Sequence, residues 1–117
     1  MPFVSIKTSL KLTPEEVESW STNLSRLVYE ATGKPEAYIM ISVEHSLHMR
    51  FGGNSTSPTV FVDFRSIGCI SGTENKKTSS LLTKFFSDKK VPPARVYITF
   101  MNVDREDWGF QGSTFAR

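Results

Sequence analysis

The chain begins with Met1-Pro2, and a proline at position 2 has a chemical consequence. Initiator methionine is normally removed when the next residue is small, and proline qualifies. Removal would leave the secondary amine of Pro2 as the N-terminus. A free α-amine titrates at ~8, and a base is most effective when its pKa lies near the working pH. We therefore interpret Pro2 as a candidate general base, with a proline placed there by chance as the plainer alternative.

The other reactive side chains form no recognisable site in the sequence. His45 and His48 are spaced as two metal ligands could be, but they lack a clear third ligand, so no metal is expected. Cys69 is the single cysteine and has no identifiable partner base. The acidic run at residues 104–107 is interpreted as a solvated turn. No phosphate-binding glycine motif occurs, and no cofactor is expected.

The composition suits a single domain over residues 1–117 and argues against several classes of protein. Nine Phe and two Trp can supply a core. The formal net charge is +2, from 14 basic and 12 acidic residues, which gives no electrostatic case for nucleic acid or an anionic membrane as partner. No segment approaches the ~18 apolar residues of a membrane span. Because no run of signal-peptide form is present, we expect cytoplasmic localisation, with secretion without a signal peptide left open.

The first half of the chain predicts a strand, a helix and a strand. Phe3 to Ser9 alternates between apolar and polar residues, as a strand does. Thr13 and Glu16 form a capping box at the start of a helix, which Gly33 ends. The apolar run from Tyr38 to Val43 predicts a buried strand.

The second half repeats this order after a loop from Glu44 to Pro58. Thr59 to Ile67 predicts a strand, and the apolar residues within 81–86 mark one face of a second helix. Arg95 to Met101 predicts the fourth strand. The aromatic tail, interrupted by glycines, predicts short edge strands.

Two such units predict an α+β fold with a four-stranded mixed sheet. Right-handed crossovers make the strands within each unit parallel and place both helices on one face. Phe61 lies opposite Val60 and Val62 on its strand, so the uncovered face is also expected to be apolar. We therefore expect an oligomer with closed symmetry.

Six short features occur in order along the chain and together resemble one family. They are Pro2, ATGKP (31–35), FGG (51–53), SIG (66–68), RVYI (95–98) and GSTF (112–115). Their order and spacing resemble the macrophage migration inhibitory factor family of the tautomerase superfamily over essentially the whole chain. The resemblance implies a homotrimer whose sheets line a central barrel. It also implies cofactor-independent keto–enol tautomerisation of phenylpyruvate-like acids and dopachrome analogues.

The resemblance also assigns roles to individual residues. Pro2 would be the catalytic base, and Lys34 the cation beside it, which also binds the substrate. Ile67 would offer its backbone N–H to a substrate carboxylate, and Tyr97 would reach the site from a neighbouring subunit. The pocket walls would be Tyr38, Trp108, Phe110 and Phe115.

Lys34 suits this role because a nearby ammonium disfavours protonation of the Pro2 amine and so lowers its pKa. It could also stabilise a developing enolate oxygen. The plainer alternative is a surface lysine near a helix C-terminus, where cations are favoured.

The sequence departs from the family at several positions. Residues 59–62 lack the Cys-x-x-Cys pair, so a dithiol redox activity has no basis. Thr99 stands where the macrophage factor has Asn. Phe110 replaces a tail-pocket Trp, while Trp108 stands two positions earlier. These changes leave the substrate preference open. The alternative function is a secreted cytokine-like ligand that acts on a cell-surface receptor and retains a vestigial pocket.

Overall fold

The computed structural model describes residues 1–116 and confirms the α+β fold class. The helices are α1 (Pro14–Thr32) and α2 (Gly72–Asp88). The main strands are β1 (Phe3–Thr8), β2 (Met40–Glu44), β3 (Val60–Ser66) and β4 (Val96–Asn102). The tail forms β5 (Gly109–Phe110) and β6 (Ser113–Thr114). Short 3-10 turns occupy Glu36–Tyr38, Pro93–Arg95 and Arg105–Asp107.

The four main strands form one mixed sheet in the order β2-β1-β3-β4. β1 is parallel to β2 and β3 is parallel to β4, whereas the central pair β1–β3 is antiparallel. This confirms the two predicted strand–helix–strand units. The start of β1 and the end of β3 therefore meet at one edge of the molecule, which brings the N-terminus beside Ile67.

Helix α1 begins and ends as the sequence predicts. The Thr13 hydroxyl accepts a hydrogen bond from the Glu16 N–H, and the Glu16 carboxylate accepts one from the Thr13 N–H. Gly33 follows the helix with φ of 71°, a left-handed conformation that glycine adopts readily. The turn after α1 therefore has a fixed geometry, and it delivers Lys34 to the sheet edge.

The core lies between the helices and one face of the sheet. It contains fully buried side chains from β1, β3 and both helices, among them Val4, Ile6, Val62, Phe64, Leu24 and Leu82. Burying each such side chain contributes roughly 1.5–3 kcal/mol before the loss of chain entropy.

The opposite face of the sheet is mixed rather than apolar throughout. Its central row is polar and consists of Ser42, Ser5, Asp63 and Thr99. Large apolar side chains lie on either side of this row, and Met40 and Tyr97 are 64% and 63% exposed. The expectation of an apolar second face is therefore wrong at its centre, because each of the four strands has a polar residue at its middle outward-facing position.

Two predicted strands differ from the observed ones. The strand predicted from Tyr38 begins at Met40, because residues 36–38 form a 3-10 turn after Pro35. It lies at the edge of the sheet and is only half-buried in the single chain, not buried as predicted. The tail strands pair with each other, Gly109 facing Thr114, and do not extend the main sheet.

Arg95 holds the loop between β2 and β3 in place. Its guanidinium donates to the backbone carbonyls of Phe51, Asn54 and Pro58 at 2.9–3.1 Å. It also donates to the Thr59 hydroxyl at 2.8 Å and stacks 5.5 Å from the Phe51 ring centroid. This loop therefore has a defined path in spite of its glycines and small polar residues.

Candidate active site

Pro2 is buried at the start of β1. Its carbonyl accepts a hydrogen bond from the Met40 N–H at 3.1 Å, which fixes the residue against β2. Two β-strands therefore hold the first residues of the chain in place. An amine on Pro2 would have a defined position.

The pairing of β1 with β3 places Ile67 near the first residue of the chain. The Pro2 carbonyl is directed to β2, so its neighbour Phe3 hydrogen-bonds to β3, where it faces Arg65. Continued by two residues, this register would place Met1 opposite Ile67 as the next hydrogen-bonded pair. Within residues 1–116 no such bond forms, and the Ile67 N–H remains a donor beside the N-terminus.

Lys34 reaches the same edge from the end of α1. The Gly33 N–H donates to the Tyr29 carbonyl at 2.7 Å, and the Lys34 N–H donates to the Thr32 hydroxyl at 3.1 Å. These bonds fix the backbone from which the Lys34 side chain extends. The Cys69 thiol donates to the Thr32 carbonyl at 3.4 Å and ties this turn to the loop after β3.

An aromatic cavity of about 590 Å³ opens beside Pro2. Tyr38 packs edge-on to Phe110 with centroids 5.8 Å apart, and Phe110 stacks on Phe115 at 5.1 Å and 11°. Trp108 also lines the cavity. The volume and the aromatic walls suit a flat ring-bearing ligand.

A smaller cleft of about 140 Å³ lies next to the aromatic cavity. Lys34, Ile67, Arg105 and Phe115 line it, and Met1 lines both spaces. The terminal amine therefore stands where an aromatic surface meets a cationic one.

The surroundings of the terminal amine increase the fraction of it that is unprotonated at neutral pH. Burial lowers the pKa of the Met1 amine below its ordinary value, and the nearby Lys34 ammonium lowers that pKa further, while Cys69 acts in the opposite direction. Removal of Met1 would move the amine to Pro2, which also lines the aromatic cavity.

Tyr97 does not reach this cavity within one chain. It lies at the start of β4, whereas Val103, just after β4, lines the cavity. Six residues of extended chain span ~20 Å. Tyr97 instead packs on Phe51 with ring centroids 4.7 Å apart. The remaining predicted site residues lie around the two spaces.

Sequence reasoning missed three charged residues at the site. Arg65 and Asp107 line the aromatic cavity, and Arg105 lines the small cleft. The run at residues 104–107 is therefore not only a solvated turn. Its proximity in sequence to Trp108 was the one available signal.

Comparison with known proteins decides the family. A sequence model described as "Macrophage migration inhibitory factor (MIF)" matches residues 1–116. The chain belongs to the macrophage migration inhibitory factor family. A relative named "Macrophage migration inhibitory factor" from Xenopus tropicalis is 40% identical over 96 residues, covering 81% of this chain and 83% of that protein. A homolog from Brugia malayi is 34% identical over 117 residues, covering 99% of this chain and 100% of that protein.

Solved structures of family members share the fold. The homologue from Prochlorococcus marinus superposes with a TM-score of 0.88 at 33% identity, covering 97% of this chain and 98% of that chain. The protein from Toxoplasma gondii gives 0.89 at 31% identity, covering 97% and 99%. Neither helix within residues 1–116 has the length and apolar content needed to cross a bilayer.

Proposed function

We propose that this protein is a cofactor-independent keto–enol tautomerase with the Pro2 amine as its general base. Its substrates are small aromatic 2-oxo acids of the phenylpyruvate type and dopachrome-like compounds. Membership of a family in the tautomerase superfamily agrees with this activity. The observation that carries the proposal is the position of the terminal amine between the aromatic cavity and the Lys34 cleft.

The arrangement suits proton transfer at the carbon next to a carbonyl group. The Pro2 nitrogen takes a proton from C3 of the 2-oxo acid, and the C–H electrons form the C2–C3 double bond. The carbonyl electrons move to oxygen, which the Lys34 ammonium stabilises as an enolate. The Ile67 N–H holds the carboxylate, and the protonated amine returns its proton to the enolate oxygen.

The proposed assembly is a homotrimer in which a neighbouring copy completes the site. Apolar side chains left exposed on the sheet face, such as Tyr97 and Met101, support contact with another copy. In this assembly Tyr97 contributes to the cavity of the adjacent subunit.

The test combines mass spectrometry with an activity assay on one sample. Purified protein should lack Met1 and should tautomerise phenylpyruvate. A variant with one Ala inserted between Met1 and Pro2 should be inactive, because an amide nitrogen at Pro2 has no basic lone pair, while its oligomeric state should be unchanged. Full activity in the insertion variant would show that Pro2 is not the base.

A second candidate is a signalling ligand that binds a cell-surface receptor and retains the pocket without using it. The names of its relatives, which describe a factor that inhibits macrophage migration, favour it. A cell-migration assay with the inactive Ala-insertion variant separates the two functions. Migration that still responds to that variant would assign signalling to the surface rather than to catalysis.

A further inference from the structure

The small cleft is cationic, whereas the aromatic cavity is nearly balanced in charge. Lys34 and Arg105 line the cleft, and among residues 1–116 no carboxylate side chain does. The aromatic cavity instead holds Arg65 together with Asp107. Arg65 is also bound to the Asp63 carboxylate at 3.3 Å. An anionic group of a ligand would therefore be drawn to the cleft rather than to the cavity.

The guanidinium of Arg105 is available to a ligand. Its neighbours in sequence, Asp104, Glu106 and Asp107, are acidic. Within residues 1–116 the Arg105 guanidinium nevertheless forms no ion pair with any of them. Arg105 is the first residue of a 3-10 turn, in which the Asp107 N–H donates a hydrogen bond to the Asp104 carbonyl at 2.9 Å.

The turn that carries Arg105 is anchored to the cavity wall. The Phe115 N–H donates to the Trp108 carbonyl at 3.3 Å, next to the end of the turn. Phe115 lines the cleft together with Arg105. The guanidinium thus extends from a backbone whose position relative to the ligand space is fixed.

The enolate intermediate of the proposed reaction carries two negative charges, and Lys34 can neutralise only one of them. A 2-oxo acid enters with one negative charge on its carboxylate, and its enolate carries a second on oxygen. Two cations beside a doubly charged intermediate stabilise it more than they stabilise the singly charged substrate. Arg105 is the second cation of the cleft.

We propose that Arg105 contacts the substrate carboxylate and, with Lys34, forms a subsite for the dianionic enolate of 2-oxo acids. This inference rests on the proposed tautomerase function and adds to it a second cationic residue that binds the substrate. The site should favour free 2-oxo acids over their esters, since the enolate of an ester carries only one charge. A guanidinium suits this task because its planar donors match a carboxylate.

The experiment compares phenylpyruvate with its methyl ester. Arg105→Gln should lower kcat/KM for the acid by about tenfold, the loss expected for one charge-assisted hydrogen bond at an exposed site. For the ester the change should stay below about twofold. Arg105→Lys should recover part of the activity toward the acid.

Arg26→Gln is the matched control. Arg26 is exposed on α1, so this variant loses the same charge and residue type at a place outside the cleft. Both substrates should react with it as with the unchanged protein. A variant at Arg105 that lowers activity toward acid and ester equally, or toward neither, would overturn the inference.

A binding measurement separates this inference from the proposed function. Phenylglyoxylate is a 2-oxo acid without a C3 hydrogen, so it can bind but cannot be tautomerised. Calorimetry should show weaker binding of phenylglyoxylate to Arg105→Gln, also by about tenfold. If the processed protein is inactive on both substrates, the tautomerase proposal fails. Independently of that result, unchanged binding of phenylglyoxylate to Arg105→Gln would overturn the Arg105 subsite.

Discussion

The role that we propose for Lys34 depends on its charge in two ways. Its ammonium contributes to the lowered pKa of the terminal amine, after burial, which is the larger cause. It also lines the cleft in which we place the substrate carboxylate. One substitution should therefore change both a pH profile and a binding constant.

We expect Lys34→Ala to move the acidic limb of the kcat/KM profile to higher pH. The base works unprotonated, so activity falls as the pH drops through its pKa, and loss of a neighbouring cation raises that pKa. KM for phenylpyruvate should rise by about tenfold, because a carboxylate loses a charged partner. Lys34→Arg should keep the pH limb near its original position. An unchanged pH limb and KM in Lys34→Ala would make Lys34 a surface lysine.

At the scale of the secondary-structure elements, the turns determine the site more than the helices do. Sequence signals predicted α1 well because its capping box and Gly33 are local features that act within a few residues. They failed at Tyr38, where Pro35 leads into a 3-10 turn that turns this aromatic residue toward Phe110. They also missed Arg105, because its proximity to Lys34 arises from chain folding over a long sequence separation.

We expect Gly33→Ala to lower the free energy of unfolding by roughly 1 kcal/mol. No atom lies within 4 Å of an added Cβ, so the cost arises from the left-handed backbone alone. Activity should fall as well, because Lys34 is the next residue. The loss of stability is measured by denaturant unfolding, in which the midpoint should fall while the m-value stays unchanged.

Gly72→Ala is the control for this prediction. Gly72 opens α2 without a positive φ and also has free space around it. Its substitution should leave the stability unchanged or slightly higher. Equal destabilisation in both variants would contradict the account based on backbone strain.

At the scale of the whole molecule, the two faces of the sheet differ in composition. One face is covered by both helices and is largely apolar, whereas the other has a polar central row between two rows that mix large apolar and charged side chains. The sequence pattern predicted that this second face needs a partner, and it overestimated how apolar the face is. Alternation along a strand predicts which face each residue lies on. Which residues of neighbouring strands lie side by side depends on the strand register, and this is known only from the fold.

We expect the protein in solution to have three times the chain mass of 13.2 kDa by light scattering at micromolar concentration. Met101→Lys should weaken this assembly, because Met101 is 48% exposed on the uncovered sheet face. Tyr29→Lys is the control, since Tyr29 is 49% exposed but lies on α1. A folded monomer at this concentration would contradict the proposed trimer.

The bonds of Arg95 have a consequence for how the loop between β2 and β3 can vary. Three of its acceptors are main-chain carbonyls, of Phe51, Asn54 and Pro58, and these are present whatever side chains stand at those positions. The path of the loop thus depends in part on one arginine outside it, together with Asn54 inside it, whose Oδ1 accepts from the Thr56 and Ser57 N–H groups. Exposed side chains of the loop that make no such bond can change without loss of its shape, which leaves the loop a rigid frame for changing surface chemistry.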